Sequence, residues 1–150
     1  MARFSYKMQN ILNIKYKLEE QVRAEFAEAN YRYNEEVDKL NQYVGKKIFL
    51  ENYLRELYDS KLNLKEIRNT ISAIDKMKEL IEKQIVEVNK AKQVVEQVRE
   101  KLAEAMIERK THETLKEKEF EEFLEELKRE DDKIIDELVS YRYGNEEQEV

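Results

Sequence analysis

Residues that make tight turns are almost absent from this sequence. It has no proline and only two glycines in 150 residues, whereas an average soluble domain of that length has about 7 prolines and about 10 glycines. Because tight turns depend on these residues for their backbone dihedral angles, the chain is expected to turn seldom. The scarcity argues against a compact all-β or α/β domain and predicts long helices.

Cysteine, histidine clusters and long apolar runs are missing as well. Without cysteine there is no disulfide, thiolate nucleophile or cysteine-bound zinc, and His112 is the only histidine. The net charge of −6 argues against a nucleic acid as the main partner, because phosphate binding needs clustered cations. No apolar run approaches the roughly 20 residues of a membrane-spanning helix, and the start lacks the apolar segment of a signal peptide. We therefore expect a cytoplasmic protein that binds no nucleic acid and does not insert directly into the membrane.

Charged side chains make up 41% of the sequence, but apolar side chains make up another 41% and are regularly spaced. Disordered chains lack both a high content of apolar side chains and a regular spacing of them, so the spacing predicts helix. In the first half the apolar positions repeat every eleven residues, about 3.67 per turn, which predicts a narrow seam against one partner helix. The seam residues predicted in this half are Leu18, Val22, Phe26, Val37, Leu40 and Val44, followed by Ile48.

In the second half the apolar spacing changes to strict sevens, which is the repeat of a coiled coil. The residues at this spacing are Ile67, Ile74, Ile81, Val88, Val95 and Leu102, with Ile71 and Ile85 at intervening positions. Two apolar seams of comparable length in one chain most simply pack against each other. We therefore predict an all-α fold, a long antiparallel coiled coil of two helices (a helical hairpin) whose second helix is the longer.

The turn between the two helices is predicted at about residues 59–63. Asn63 and Glu66 have the spacing of a capping box, and Leu62 and Ile67 have the spacing of a hydrophobic staple. Because the turn contains neither glycine nor proline, one continuous helix that pairs only with another chain is the alternative.

These signals give a single coiled-coil domain over residues 1–150. The first helix is predicted at about 3–58 and the second at about 64–143. Gly144 fits a helix C-cap, and residues 144–150 are predicted to be a disordered acidic tail.

The two predicted helices differ in length. At 1.5 Å per residue they would span roughly 84 Å and roughly 120 Å, so the first helix ends opposite about residue 119 of the second. An apolar stripe beyond that point has no partner in the chain and is expected to bind another protein. Its members are Phe120, Phe123, Leu124, Leu127, Ile134, Ile135 and Leu138.

Two further features each have two interpretations. A second apolar stripe lies about 220–280° around the helix from Ile67, and it either docks a partner or packs on a flank of the first helix. Its members are Ala73, Met77, Leu80 and Gln84. Gly45 lies within the first helix, where it is either simply tolerated or serves as a hinge or a point of close approach.

No residue pattern indicates catalysis. Adjacent carboxylates are frequent after residue 120, but acid–base catalysis needs two carboxylates across a cleft with separated pKa values. A helical di-metal site needs two Glu-x-x-His units, and Glu108 with His112 has the wrong separation and occurs once. We expect no enzyme activity, no catalytic residues, no metal and no cofactor.

At this point the sequence resembles the FliJ family, the soluble stalk-like component of the flagellar type III export ATPase complex. The resemblance covers most of the chain. It rests on FSYKMQNIL at 4–12, the helix entry through Leu64, Ile67 and Asn69, IDKMKELIEKQ at 74–84, AEAMIERK at 103–110 and IDEL at 135–138.

The resemblance implies a non-enzymatic stalk that binds the ring of the flagellar export ATPase (FliI-like) and the export gate protein (FlhA-like), with export chaperones as further candidate partners. It implies a location at the cytoplasmic face of the cell membrane. The implied gate contacts are Ala73, Met77, Leu80 and Gln84. The implied ring contacts are Phe4, Tyr6, Met8, Phe120, Phe123, Leu127, Ile134, Ile135 and Leu138.

Two other functions stay open on the residues alone. One is a generic coiled-coil interaction protein, such as a chaperone-like tether that uses its apolar ends on clients. The other is a metal-dependent helical enzyme, which would lose activity on chelation.

Overall fold

Two long helices make up nearly all of the protein. The computed structural model describes residues 3–60 and 63–148. Helix α1 spans Gln9–Asp59, with 51 residues, and helix α2 spans Leu64–Gln148, with 85 residues. They pack antiparallel, and the described ranges contain no strand. The predicted fold class is confirmed, and the alternative of one continuous helix is wrong.

Helix α1 begins at Gln9 and not at about residue 3 as predicted. Residues 3–6 have no regular secondary structure, and a turn at residues 7–8 leads into the helix. The Gln9 N–H donates to the Tyr6 carbonyl oxygen at 3.1 Å. The non-helical start nevertheless stays against α2, because the Phe4 ring lies beside Phe120 and Phe123.

The connection between the helices lies where the sequence predicts it. The Asn63 side-chain oxygen accepts the Glu66 backbone N–H at 3.3 Å, which is one half of the predicted capping box. The Glu66 carboxylate does not return to Asn63; it accepts the Tyr53 hydroxyl at 3.0 Å and so links α2 to α1. The predicted staple involves Leu62, which lies outside the described residues.

The end of α2 differs from the prediction. The helix continues through Gly144 to Gln148, and neither glycine has a positive φ, so Gly144 is not a left-handed C-cap. The prediction of a disordered tail from residue 144 is therefore wrong for residues 144–148, while 149 and 150 lie outside the described residues. Glutamate and glutamine are good helix formers, which explains the continuation.

The seam of α1 follows a seven-residue repeat and not the predicted eleven. Leu12, Glu19, Phe26 and Tyr33 are seven apart and are buried or half-buried. Leu18, Val44 and Ile48 are exposed, so their assignment to the seam is wrong. The repeat must match that of α2, because two supercoiled helices share one period. Charged residues at seam positions, among them Glu19, concealed this period in the sequence.

The remaining predicted seam residues point inward to different degrees. Those that are buried are Val22, Ile67, Ile74 and Val95. Those that are half-buried are Phe26, Val37, Leu40, Ile81, Val88 and Leu102. Ile71 and Ile85, predicted between them, are exposed. A narrow seam of this kind is what a two-helix pairing can cover.

The chain divides into two compact units, and both helices contribute to each. Unit 1 comprises the described parts of Met1–Glu19 and Ala105–Val150, and unit 2 comprises Glu20–Glu104 with the connection. In unit 2 the Arg99 guanidinium lies over the Phe26 ring at 5.9 Å, a cation–π contact beside the apolar seam.

Gly45 lies within α1 in unit 2. A Cβ atom added at Gly45 would meet no heavy atom within 4 Å. The interpretation of Gly45 as a point of close approach is therefore wrong.

Candidate interaction surfaces

An aromatic cluster stands near the start of the chain in unit 1. The Phe4 ring meets Phe120 edge-on with centroids 5.1 Å apart, and its centroid lies 5.6 Å from that of Phe123. The non-helical start of the chain therefore lies against Phe120 and Phe123, just beyond the predicted limit at about residue 119. Arg3 and Glu122 line an open depression beside the cluster, so opposite charges surround the rings.

The predicted ring-contact residues near this cluster are not equally accessible. Met8 and Phe120 are exposed, while Phe4, Phe123 and Leu127 are half-buried. Tyr6 is only 5% exposed, so in this structure it cannot be a surface contact. Its hydroxyl lies buried with no hydrogen-bond partner among the described residues.

Beyond Leu127, α2 has no covering chain among the described residues. Every residue from 128 to 144 is exposed, and we call this segment the overhang. It contains Ile134, Ile135 and Leu138, which the sequence singled out, and Tyr141, which it did not. Because Leu127, Ile134 and Tyr141 are seven apart, they share one helix face. The seven-residue spacing from Leu127 is the signal that could have identified Tyr141.

The predicted stripe of Ala73, Met77, Leu80 and Gln84 is not one surface. Gln84 is 7% exposed, and its amide donates to the Glu36 backbone carbonyl at 2.8 Å and to the Glu36 carboxylate. It therefore faces α1, and its assignment to a docking surface is wrong. The cause is the seven-residue register, which places Gln84 three residues after Ile81 on the inward side.

The other members of the stripe lie closer to the surface. Ala73 and Met77 are half-buried, and Leu80 is 38% exposed. Leu80 directly precedes the seam residue Ile81, whereas Ile85 directly follows the seam residue Gln84. In a seven-residue repeat these two positions lie on opposite flanks of the seam.

A polar network that the sequence analysis did not identify joins the helices in unit 1. Glu19 forms an ion pair with Arg109, and Arg109 also reaches the Glu113 carboxylate at 3.0 and 3.1 Å. The Tyr16 hydroxyl donates to Glu113 from the other side. The spacing of Arg109 and Glu113, four apart on one helix, is a signal that could have found part of the network.

The network shifts the pKa values of its members. The hydrogen bond from Tyr16, assisted by Arg109, lowers the pKa of Glu113. The same hydrogen bond raises the pKa of Tyr16, because the carboxylate stabilises the neutral phenol. A neighbouring pair, Lys15 and Glu108 at 2.8 Å, lowers the pKa of Glu108 through its hydrogen bond and charge.

Nothing in the described part of the chain forms a metal site or a membrane span. No three His, Cys, Asp or Glu side chains within residues 3–60 and 63–148 are grouped to hold a metal ion. None of the described helical stretches is both long and apolar enough to cross a membrane.

Comparison with known proteins identifies the family. The family model described as flagellar FliJ protein matches residues 4–148. The chain belongs to the FliJ family. A comparison with curated proteins finds no match. Membership of the FliJ family places the chain among the components of flagellar type III protein export, in a family that is not catalytic.

The fold of this FliJ-family chain is similar to a solved structure. That structure is of a YscO homolog, CT670, from Chlamydia trachomatis, with a TM-score of 0.54 and 20% sequence identity. The similarity covers 99% of this chain and 100% of the other. At this level of identity the match supports the two-helix fold alone.

Proposed function

We propose that this FliJ-family chain is a non-enzymatic stalk of the flagellar export apparatus that binds the ring of the export ATPase and links it to the export gate protein. Hydrolysis belongs to the ring. The chain acts by binding some states of the ring better than others, which is the condition for a ligand to bias a conformational equilibrium. Its place would be the cytoplasmic face of the membrane, and export chaperones are further proposed partners on family grounds.

The observation that carries the proposal is the overhang. Its apolar face, with Ile134, Leu138 and Tyr141, is exposed along the part of α2 that α1 does not reach. Large exposed apolar surfaces on a monomer mark sites of protein association. We assign the ring contact to this face together with Phe120 and Met8, which are also exposed.

The ring contact is tested by removing the apolar face without changing charge. Ile134→Ser combined with Leu138→Ser should abolish co-purification with the cognate export ATPase and the stimulation of its ATP hydrolysis. The control combines Lys133→Ser with Asp136→Ser, two exposed residues away from that face, and keeps the net charge. Because all four side chains are exposed, circular dichroism should show equal helicity and melting for both variants.

Two results would refute the ring contact. The first is that the Ile134→Ser, Leu138→Ser variant binds and stimulates the ATPase as well as the unchanged chain. The second is that the control variant loses binding equally, because the effect would then come from the helix as a whole and not from its apolar face.

We assign the gate contact to the flank of α2 that carries Leu80 and Ala73. Leu80 is accessible at 38% exposure, while Gln84 is engaged with Glu36 and Met77 lies in the row that faces α1. The proposed contact is therefore narrower than the stripe predicted from sequence. The resemblance of residues 74–84 to the FliJ family supports this assignment.

The matched control for this contact lies on the opposite flank. Leu80→Asp should abolish binding to the cytoplasmic part of the cognate gate protein, measured by calorimetry. Ile85→Asp, at 44% exposure against 38% for Leu80, should leave binding unchanged and cost similar stability. Equal binding by both variants would show that the Leu80 flank is not the contact.

A further inference from the structure

The seam of the coiled coil changes in chemistry between the two units. In unit 2 one of the two inward rows of α2 is apolar at every seventh residue, while the other includes polar side chains. In unit 1 the first of these rows continues with Arg109 and Lys116 before Phe123. On α1 the inward positions of unit 1 include Lys15 and Glu19. In this row of α2, charged residues thus replace apolar ones in unit 1.

These charges are withdrawn from water. Glu19 is 5% exposed, and the side chain of Arg109 is 18% exposed. Removing charges from water is costly, and their mutual attraction offsets that cost only with good geometry and further hydrogen bonds. Glu113 and Tyr16 supply such bonds, and Lys15 pairs with Glu108 beside them. The pairing of the two helices around Glu19 and Arg109 therefore depends on all members of the network being present.

Fewer apolar residues are buried in unit 1 than in unit 2. The buried apolar residues of unit 1 are Tyr6, Leu12 and Ala105. In unit 2 they are Val22, Ala29, Ile67, Ile74 and Val95, supported by half-buried Leu, Ile and Val along the row. Burial of apolar area is the larger and less conditional source of stability. Cooperative units within one protein can open separately when their stabilities differ.

We propose that residues 9–19 of α1 form a strap, which the network of Glu19, Arg109 and Glu113 holds on α2 and which detaches while the pairing of unit 2 stays closed. Detachment uncovers the inward face of α2 from Ala105 to Lys116. The strap is a conformational element of the free chain and does not depend on the stalk function proposed above.

Amide hydrogen exchange by NMR on the full chain tests the strap. Arg109→Gln removes the guanidinium that faces Glu19 and Glu113, so exchange protection of the amides in residues 12–19 should fall at least tenfold. Protection in residues 22–57 should stay within twofold. The control is Arg32→Gln, which removes an exposed pair with Glu28 on α1 and should change no amide by more than twofold.

A second variant keeps the test decisive by replacing the charges with apolar groups. Glu19→Leu combined with Arg109→Leu continues the apolar rows of unit 2 into unit 1. Replacing a buried ion pair by apolar residues is often neutral or stabilising. Protection in residues 12–19 of this variant should therefore rise at least tenfold above that of the unchanged chain.

Three outcomes would overturn the proposal. Unchanged protection of residues 12–19 in Arg109→Gln would show that the network does not hold the strap. A parallel loss in residues 22–57 would show that the coiled coil opens as one body. Protection that does not rise in the double leucine variant would show that the charges at the seam are not what makes residues 9–19 open separately.

Discussion

Replacing Gly45 with alanine should stabilise the protein. Gly45 lies in the interior of α1, without a positive φ, and an added Cβ would meet no heavy atom within 4 Å. The change therefore introduces neither strain nor a clash. Glycine in a helix interior is about 1 kcal/mol less favourable than alanine, because its unfolded backbone has more freedom. For a chain of this size, about 1 kcal/mol corresponds to a rise in Tm of roughly 2–4 °C.

Thermal and urea denaturation followed by circular dichroism measure this gain. Gly144→Ala is the matched control, because its Cβ would also meet nothing within 4 Å, but it lies four residues from the end of α2. Helix ends fray, so the gain at Gly144 should be smaller than at Gly45. A lower Tm for Gly45→Ala would refute the reasoning, since it would mean that the backbone at Gly45 is not the open helix described above.

The same variant decides whether Gly45 is a hinge. If glycine is merely tolerated there, Gly45→Ala should support cell motility as well as the unchanged chain does. A raised Tm together with lost motility would show that export requires flexibility at Gly45, and the hinge interpretation would replace the tolerated one.

Two further expectations follow from unit 1. Tyr6→Phe should raise the free energy of unfolding by about 1 kcal/mol in urea titrations, because it removes a buried hydroxyl that lacks a partner; a loss would show that the hydroxyl is bonded in solution. The pKa values of Glu108 and Glu113 are lowered from 4.5 on folding. Their contribution to the free energy of unfolding is therefore present above pH 4.5 and is lost as the pH falls through the lowered values. Urea midpoints should therefore decrease below pH 4.5, and less so in Glu113→Gln; an equal decrease in that variant would exclude Glu113 as a cause.

The polar side chains at the seam show where sequence reasoning failed. Glu19 and Gln84 occupy inward positions that a hydrophobic pattern cannot reveal, because their burial depends on Arg109 and Glu36 across the pairing. Leu18 is apolar and fits an eleven-residue repeat, yet it lies exposed. The apolar pattern of one helix does not show which face is buried, because burial depends on the face that the partner helix covers.

The uncovered end of α2 was predictable from the sequence, but the residue at which it begins was not. Helix lengths alone predicted an uncovered end of α2, and Ile134, Ile135 and Leu138 are exposed there. The start of this overhang moved from about residue 120 to residue 128. Residues 3–8 are not helical, a conformation that the apolar pattern upstream of Leu18 did not reveal.

The amino-acid sequence by itself determined the helical content, the connection near Asn63, the antiparallel pairing and the unequal helix lengths. Those features follow from local propensity, capping and the amount of apolar side chain, which each segment carries on its own. Tertiary structure alone decided the register, the inward position of Gln84 and the network around Arg109. Each of these depends on which atoms of two distant segments meet, and no single segment specifies that.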